Sequence, residues 1–138
     1  MNRRKFLQLG AVTVPLLNSK RSFGNSFDQT TKPIVISTWD SGMPVNAEAW
    51  KILSAKGRAL DAVEAGAMHI EDQIDCCVGL GGYPDRDGIV TLDSCIMDEH
   101  ANCGAVAGIE RIKHPVSVAR KVMEKTPHVI LVGAGAQQ

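Results

Sequence analysis

Near residue 75 the hydrophobic period of this chain changes, and that change limits the folds open to it. Between Ala59 and Ile74, the residues Leu60, Val63, Ala67, Ile70 and Ile74 recur at three- and four-residue spacing, which marks one apolar helix stripe. Ala59, Ala62 and Ala65 keep the rest of that helix slim enough for close packing on a sheet. Further on the period falls to two. Val90, Leu92, Ser94 and Ile96 alternate with Ile89, Thr91, Asp93 and Cys95, as along a strand with one face buried. A chain with both patterns must bury them on one core, and a sheet with helices segregated to one side does so.

The other segments extend this reading. Ile34-Val35-Ile36 is a continuous β-branched run behind Pro33 and predicts a first strand buried on both faces. Asn46 is placed to cap a helix over Ala47–Ser54, and Lys56-Gly57 breaks it before the next helix. The stretch "CCVGLGGYPDRDGIVTLDSCIMD" predicts two strand-like runs around a turn made by Pro84, Asp85, Asp87 and Gly88. "EHANCG" is a further turn and "AVAGIERI" a further strand. His114-Pro115 opens a short helix, Thr126-Pro127 stops it, and "HVILVG" reads as a last buried strand. The expected order is β-α-α-β-β-β-α-β.

Charge and composition exclude several functions. The 138 residues carry no net charge, but residues 1–25 hold Arg3, Arg4, Lys5, Lys20 and Arg21 and no acid. That leaves ten basic against fifteen acidic side chains in the remainder, a balance unsuited to nucleic acid. Aromatic residues make up only 4%, too few for base-stacking surfaces. Arg3-Arg4 followed by Lys5-Phe6-Leu7 and a short apolar run to Leu17 looks like a twin-arginine signal over residues 1–27, leaving a domain from 28 to 138. The run is too short for a stable membrane anchor, so the expected location is periplasmic or exported. Export makes a Cys95–Cys103 disulfide worth weighing beside the plainer reading of small buried thiols, whereas adjacent Cys76 and Cys77 are poorly placed to pair.

The remaining motifs point to no metal or dinucleotide. Gly133-x-Gly135 is half of a phosphate-binding fingerprint, but the third glycine position is Gln138. "DRDG" lacks the later oxygen ligands of a calcium loop and reads as a hairpin turn. There is no C-x-x-C or H-x-x-x-H for zinc, and His69, His100, His114 and His128 adjoin no nucleophile motif. Asp93 and Asp98, at the two ends of a strand, read as turn and backbone acceptors rather than as a catalytic carboxylate pair.

"PIVISTW" at 33–39, "ALDAVEAG" at 59–66, "VGLGGYPDRDGIVTLDSCIMD" at 78–98 and "GAVAGIERIKHPVSVARKVMEKTPHVILVGAGA" at 104–136 together resemble the glycosylasparaginase family of N-terminal nucleophile hydrolases. The likeness runs from Lys32 to Gln138 in the family's order and spacing. It also reaches the isoaspartyl peptidase and plant-type asparaginases, while Ser37-Thr38-Trp39 favours the glycosylasparaginase branch. The resemblance implies an α+β fold, part of a four-layer αββα sandwich. It implies an amidase without metal or organic cofactor, whose precursor cleaves itself before a Thr. The freed α-amine, with a pKa near neutrality, then serves as base for the Thr hydroxyl that attacks the asparagine side-chain amide. The small-molecule substrate is an asparagine-linked glycan or an asparagine derivative. The expected partners are a second subunit from the same precursor and a further copy of the pair.

By the same resemblance, Trp39 lines the substrate pocket, although a strand-end tryptophan can also simply pack. Cys77 stands where the family usually has a Ser, which exchanges a good hydrogen-bond donor for a weak one. Ser41 replaces an aromatic residue two positions after the tryptophan. The threonines are 13, 30, 31, 38, 91 and 126, and none follows an Asp, so the nucleophile is expected beyond Gln138. The sequence therefore reads as most of a first subunit, inactive alone, with no catalytic residue of its own. The alternatives are a non-catalytic binding or structural subunit of that fold, and isoaspartyl peptidase or L-asparaginase specificity in the whole protein.

Overall fold

The computed structural model describes residues 32–74 and 77–138. The signal-like segment with Arg3 and Arg4, and Cys76, lie outside the described residues. The architecture below belongs to the unit Pro33–Gln138. It is a mixed α/β arrangement of three helices, α1 (Gly42–Ser54), α2 (Ala59–Glu71) and α3 (Pro115–Lys125), and three strands, β1 (Leu92–Met97), β2 (Cys103–Ile109) and β3 (Ile130–Val132). Short 3₁₀ turns cover Gly79–Gly81 and Gly133–Ala136. Among the described residues no helix is long and apolar enough to cross a membrane.

The sheet order is β1-β2-β3, with β1 and β2 antiparallel and β3 parallel to β2. The β2-α3-β3 crossover explains the parallel pair, since parallel neighbours need a helix-length connection. The alternation read in the sequence decides the faces. Ile96, Val106 and Leu131 point toward the helices, and with Leu60, Ile109, Val116, Ala119 and Val122 they form the core. Ile109 lies three residues after Val106 yet shares its face, because the register shifts between Leu92 and Ser94. The bulge this makes leaves an amide without a ladder partner. Asp93 supplies the acceptor, its Oδ1 taking the Gly108 N–H at 2.7 Å.

The opposite face of the sheet is uncovered. Register places Asp93, Cys95, Met97, Cys103, Ala105, Ala107, Ile130 and Val132 on it, and apart from Asp93, whose Oδ1 takes the Gly108 N–H, none of these is charged. Met97, Ile130 and Val132 are each more than half exposed. Cys95 and Cys103 are both free thiols at diagonal positions, Cys95 opposite Ala105 and Cys103 opposite Met97.

Several sequence expectations are corrected here. Pro33–Ser37 forms no strand and has no ladder partner; Ile34 and Ile36 are 77% and 85% exposed. A strand buried on both faces requires neighbours on both sides, and among the described residues this run has none. The stretch 77–83 is a turn and a 3₁₀ segment rather than a strand, while the Asp85–Gly88 turn stands as expected. β3 is a three-residue edge strand, not a buried one. Asn46 is no cap: α1 begins four residues earlier, at Gly42. α1 ends at the predicted Lys56-Gly57 break, where Gly57 N–H bonds Ile52 C=O and Lys56 N–H bonds Leu53 C=O, a Schellman ending.

α2 buries more than its predicted stripe. Leu60 and Ala67 face the core, but Val63 and Ile74 are exposed, and Ala62 and Gly66 are buried instead. Gly66 lies against Val45 and Ala49 of α1, so α2 is packed on two sides. It is tied to α3 by Arg120, whose guanidinium lies 2.7 Å from Asp61, 2.6 Å from Glu64 and 2.9 Å from Glu124. Ser117 Oγ donates to the other oxygen of Glu64 at 2.7 Å. Arg120 and Glu64 are each only 19% exposed, so breaking the pair strands a partly buried carboxylate. Replacing Arg120 by Ala is expected to cost about 1–3 kcal/mol in urea unfolding, with Arg120→Lys recovering only part of it, because an ammonium cannot fork to three carboxylates. An unchanged unfolding midpoint in Arg120→Ala would remove this tie from the account.

Candidate functional site

A cleft of about 410 Å³ opens where the end of α2, the 77–79 turn, the start of β1 and the first turn of α3 meet. Glu71, Cys77, Gly79, Thr91, Asp93 and Ser94 line it. Each is there for a local reason. α2 delivers Glu71 at its last residue. The strand alternation sets Asp93 outward and Ser94 inward. Cys77 has φ of 88°, a left-handed conformation that strains a non-glycine residue. Its N–H bonds Gly81 C=O at 3.1 Å, closing the turn on itself.

Glu71 holds this corner together. It is a buried charged residue, 6% exposed. Its Oε1 accepts the Val116 N–H at 3.1 Å, capping the first turn of α3 from another helix. His114, the residue before Pro115, gives no side-chain cap of its own. Its Nδ1 lies 3.4 Å from Glu71 Oε2, and its Nε2 lies 3.4 Å from Asp72, which also pairs with Lys113 at 2.7 Å. The 77–79 turn rests on the same point, since a Cβ on Gly79 would overlap the Glu71 backbone carbonyl. Gly79 also has φ of 51°, so glycine is required there twice over.

Burial pushes the Glu71 carboxyl above its ordinary 4.5, while the Val116 N–H and His114 pull it back toward ionisation. A carboxyl raised in the folded state contributes stability in acid that is lost as pH rises through the folded pKa. Glu71→Gln keeps the acceptor for Val116 and removes the charge, so its stability is expected to fall less than the wild type's between roughly pH 4 and 7. Glu71→Ala leaves a buried N–H unpaired and is expected to cost about 2–4 kcal/mol at any pH in that range. Urea midpoints across the range check both; parallel pH curves for wild type and Glu71→Gln would contradict the assignment.

The residues singled out in the sequence do not converge on this cleft. Cys77 lines it and Trp39 does not. Trp39 is 69% exposed, on the turn that leads into α1. Asp93 and Asp98 are backbone acceptors, as the sequence suggested: Asp98 takes the N–H groups of His100 and Asn102 at 2.9 Å each. Asp98 lies at a second cleft of about 490 Å³ with Arg58, Cys103 and His128. The Arg58 guanidinium there is committed to Glu99 at 2.9 Å. In the "DRDG" turn, Asp85 Oδ1 accepts the N–H groups of Asp87 and Ile89. Among the described residues no group of three His, Cys, Asp or Glu is arranged to hold a metal. Sequence reasoning missed Glu71. Its signal was a helix-opening His114-Pro115 without a capping side chain, which needs an acceptor from elsewhere.

A family described as Asparaginase matches residues 24–138. The N(4)-(β-N-acetylglucosaminyl)-L-asparaginase of Elizabethkingia miricola is 56% identical over 98% of this chain and 42% of its own length. The enzyme of that name from Mus musculus is 48% identical over 75% of the chain and 30% of its own length. A plant-type L-asparaginase of Pyrococcus abyssi is 52% identical over 63% of the chain and 28% of its own length. The chain thus spans less than half the length of the curated relatives it matches.

Proposed function

We propose that this chain, which belongs to the asparaginase family, forms the first-subunit part of an exported amidase that hydrolyses the side-chain amide of N-acetylglucosaminyl-asparagine. The observation that carries the reading is the family match across residues 24–138. The fold is the four-layer αββα sandwich, and the open sheet face supports it. Seven of the eight side chains that face outward there are uncharged, Asp93 being the eighth, a surface a sheet keeps when a second sheet packs about 10 Å above it.

In this reading the rest of the protein supplies the second sheet and the Thr whose own α-amine activates its hydroxyl. The two parts come from one precursor and assemble with a further copy. Trp39, exposed at the rim of α1, lines the substrate pocket, and Cys77 in its strained turn borders the same site from the cleft over Glu71. Residues 1–27, with Arg3 and Arg4, direct export. A second reading, hydrolysis of free L-asparagine, is favoured by the plant-type relative that aligns with 63% of the chain.

The test is aspartate release by the protein expressed from its full gene, offered N-acetylglucosaminyl-asparagine and L-asparagine in parallel. The glycosylated substrate is expected to give the higher kcat/KM, with the polypeptide split and Thr at the new N-terminus. Preference for free asparagine would select the second reading, and no aspartate from either substrate would overturn both. Trp39→Ala is expected to lower kcat/KM by at least about tenfold, the usual effect of truncating an aromatic anchor. Replacing Arg3 and Arg4 by Lys is expected to leave the precursor uncleaved in the cytoplasm, seen as a larger band in that fraction.

A further inference from the structure

Asn46 is out of place where it stands. It lies inside α1, five residues into the helix, where asparagine is among the weaker formers because its amide competes for backbone groups. It caps nothing, as the helix begins at Gly42. What it does instead is receive a hydrogen bond: the Ser37 hydroxyl donates to Asn46 Oδ1, and both side chains are partly buried. Ser37 is nine residues earlier, on the far side of the turn that carries Trp39.

That turn has little else to hold it. Trp39 is 69% exposed, so its ring is not fixed by packing. The backbone closes with Gly42 N–H on Trp39 C=O at 2.7 Å and Met43 N–H on Asp40 C=O at 3.2 Å. Gly42 lets the two limbs touch, because a Cβ there would overlap the Ser37 Cβ. Among the described residues, the remaining cross-link between the limbs is the Ser37–Asn46 bond. An indole on such a turn keeps one direction only while the limbs stay clasped.

We propose that Asn46 is a positioning residue: by accepting the Ser37 hydroxyl it fixes the turn that aims Trp39 at the asparagine-type substrate, and it sets affinity without touching that substrate. This rests on the pocket role given to Trp39 above. The clasp itself does not. The interaction should act on substrate binding more than on chemistry, because the indole offers contact area rather than a proton or charge.

The experiment uses the protein expressed from its full gene, with Ser37→Ala, Asn46→Ala and Asn46→Asp, the last retaining an oxygen acceptor. Hydrogen exchange is followed over residues 38–43, and KM and kcat are measured on N-acetylglucosaminyl-asparagine. Ser37→Ala and Asn46→Ala are expected to speed exchange in that segment alone and to raise KM about three- to tenfold, the loss expected for one hydrogen bond, with kcat within about twofold. The double variant should be no worse than either single one, and Asn46→Asp should restore both readouts. Unchanged exchange over 38–43 would overturn the clasp. Faster exchange with an unchanged KM, or kcat falling in step with it, would overturn the positioning role. If the wild type hydrolyses neither asparagine substrate, the functional reading fails, while exchange still decides the clasp.

Discussion

One buried carboxylate organises the corner on which the rest of this fold depends. Glu71 ends α2, caps α3 through Val116 and underlies the glycine turn that presents Cys77. Burying a charge costs several kcal/mol unless it is paired and hydrogen-bonded. Here the cost is offset by a backbone N–H at a helix N-terminus, where the helix dipole favours negative charge, and by His114. The arrangement is directional, as hydrophobic packing is not. It fixes where α3 starts, and so the point from which the chain returns to β3. The Arg120 cluster joins the same two helices at a second point, about two turns earlier along α2.

Much of this was legible in the sequence, and the reasons are physical. Period-two alternation in Leu92–Met97 set the faces of β1 correctly because one face of the sheet is buried and register errors there would expose Ile96. The limits of α3 were readable because Pro115 fits a first turn and Thr126-Pro127 cannot continue a helix. Other features depend on partners that local pattern does not reveal. Ile34-Val35-Ile36 has the composition of a strand, yet a strand exists only as part of a ladder. Val63 and Gly66 exchanged roles because α2 packs on two neighbours, and a single stripe describes a helix that packs on one. Asn46 looked like a cap because asparagine usually is one; its partner is a side chain nine residues back.

The candidate site divides along the same line. Trp39 and Cys77 were singled out by resemblance, and nothing in their local composition distinguishes them. The structure adds what resemblance could not: each sits on a backbone segment held in an unusual way, one by φ of 88° over a buried glutamate, the other by a clasp between Ser37 and a helix interior. Conversely Asp93 and Asp98, the carboxylates most suggestive of chemistry, accept backbone amides, Asp93 one at the bulge and Asp98 two in a turn. Asp98 also takes the Asn102 side-chain amide, and these bonds hold its carboxyl below the usual aspartate range, which argues against acid–base duty there.

The two faces of the sheet make the last connection. The inner face meets α2 and α3 through branched side chains that fill a conventional core. Apart from Asp93 on β1, the outer face is built from Ala, Cys, Met, Ile and Val, although charged residues make up 22% of the sequence. A solvent-facing strand ordinarily carries Lys, Glu or Thr on that side, both for solubility and to discourage edge pairing. On this face the central strand carries the small residues Ala105 and Ala107 beside the larger Ile130 and Val132. The exposed Ile34 and Ile36 have the same character, since they are strand-forming side chains without a ladder. Both features leave apolar, strand-type side chains exposed among the described residues.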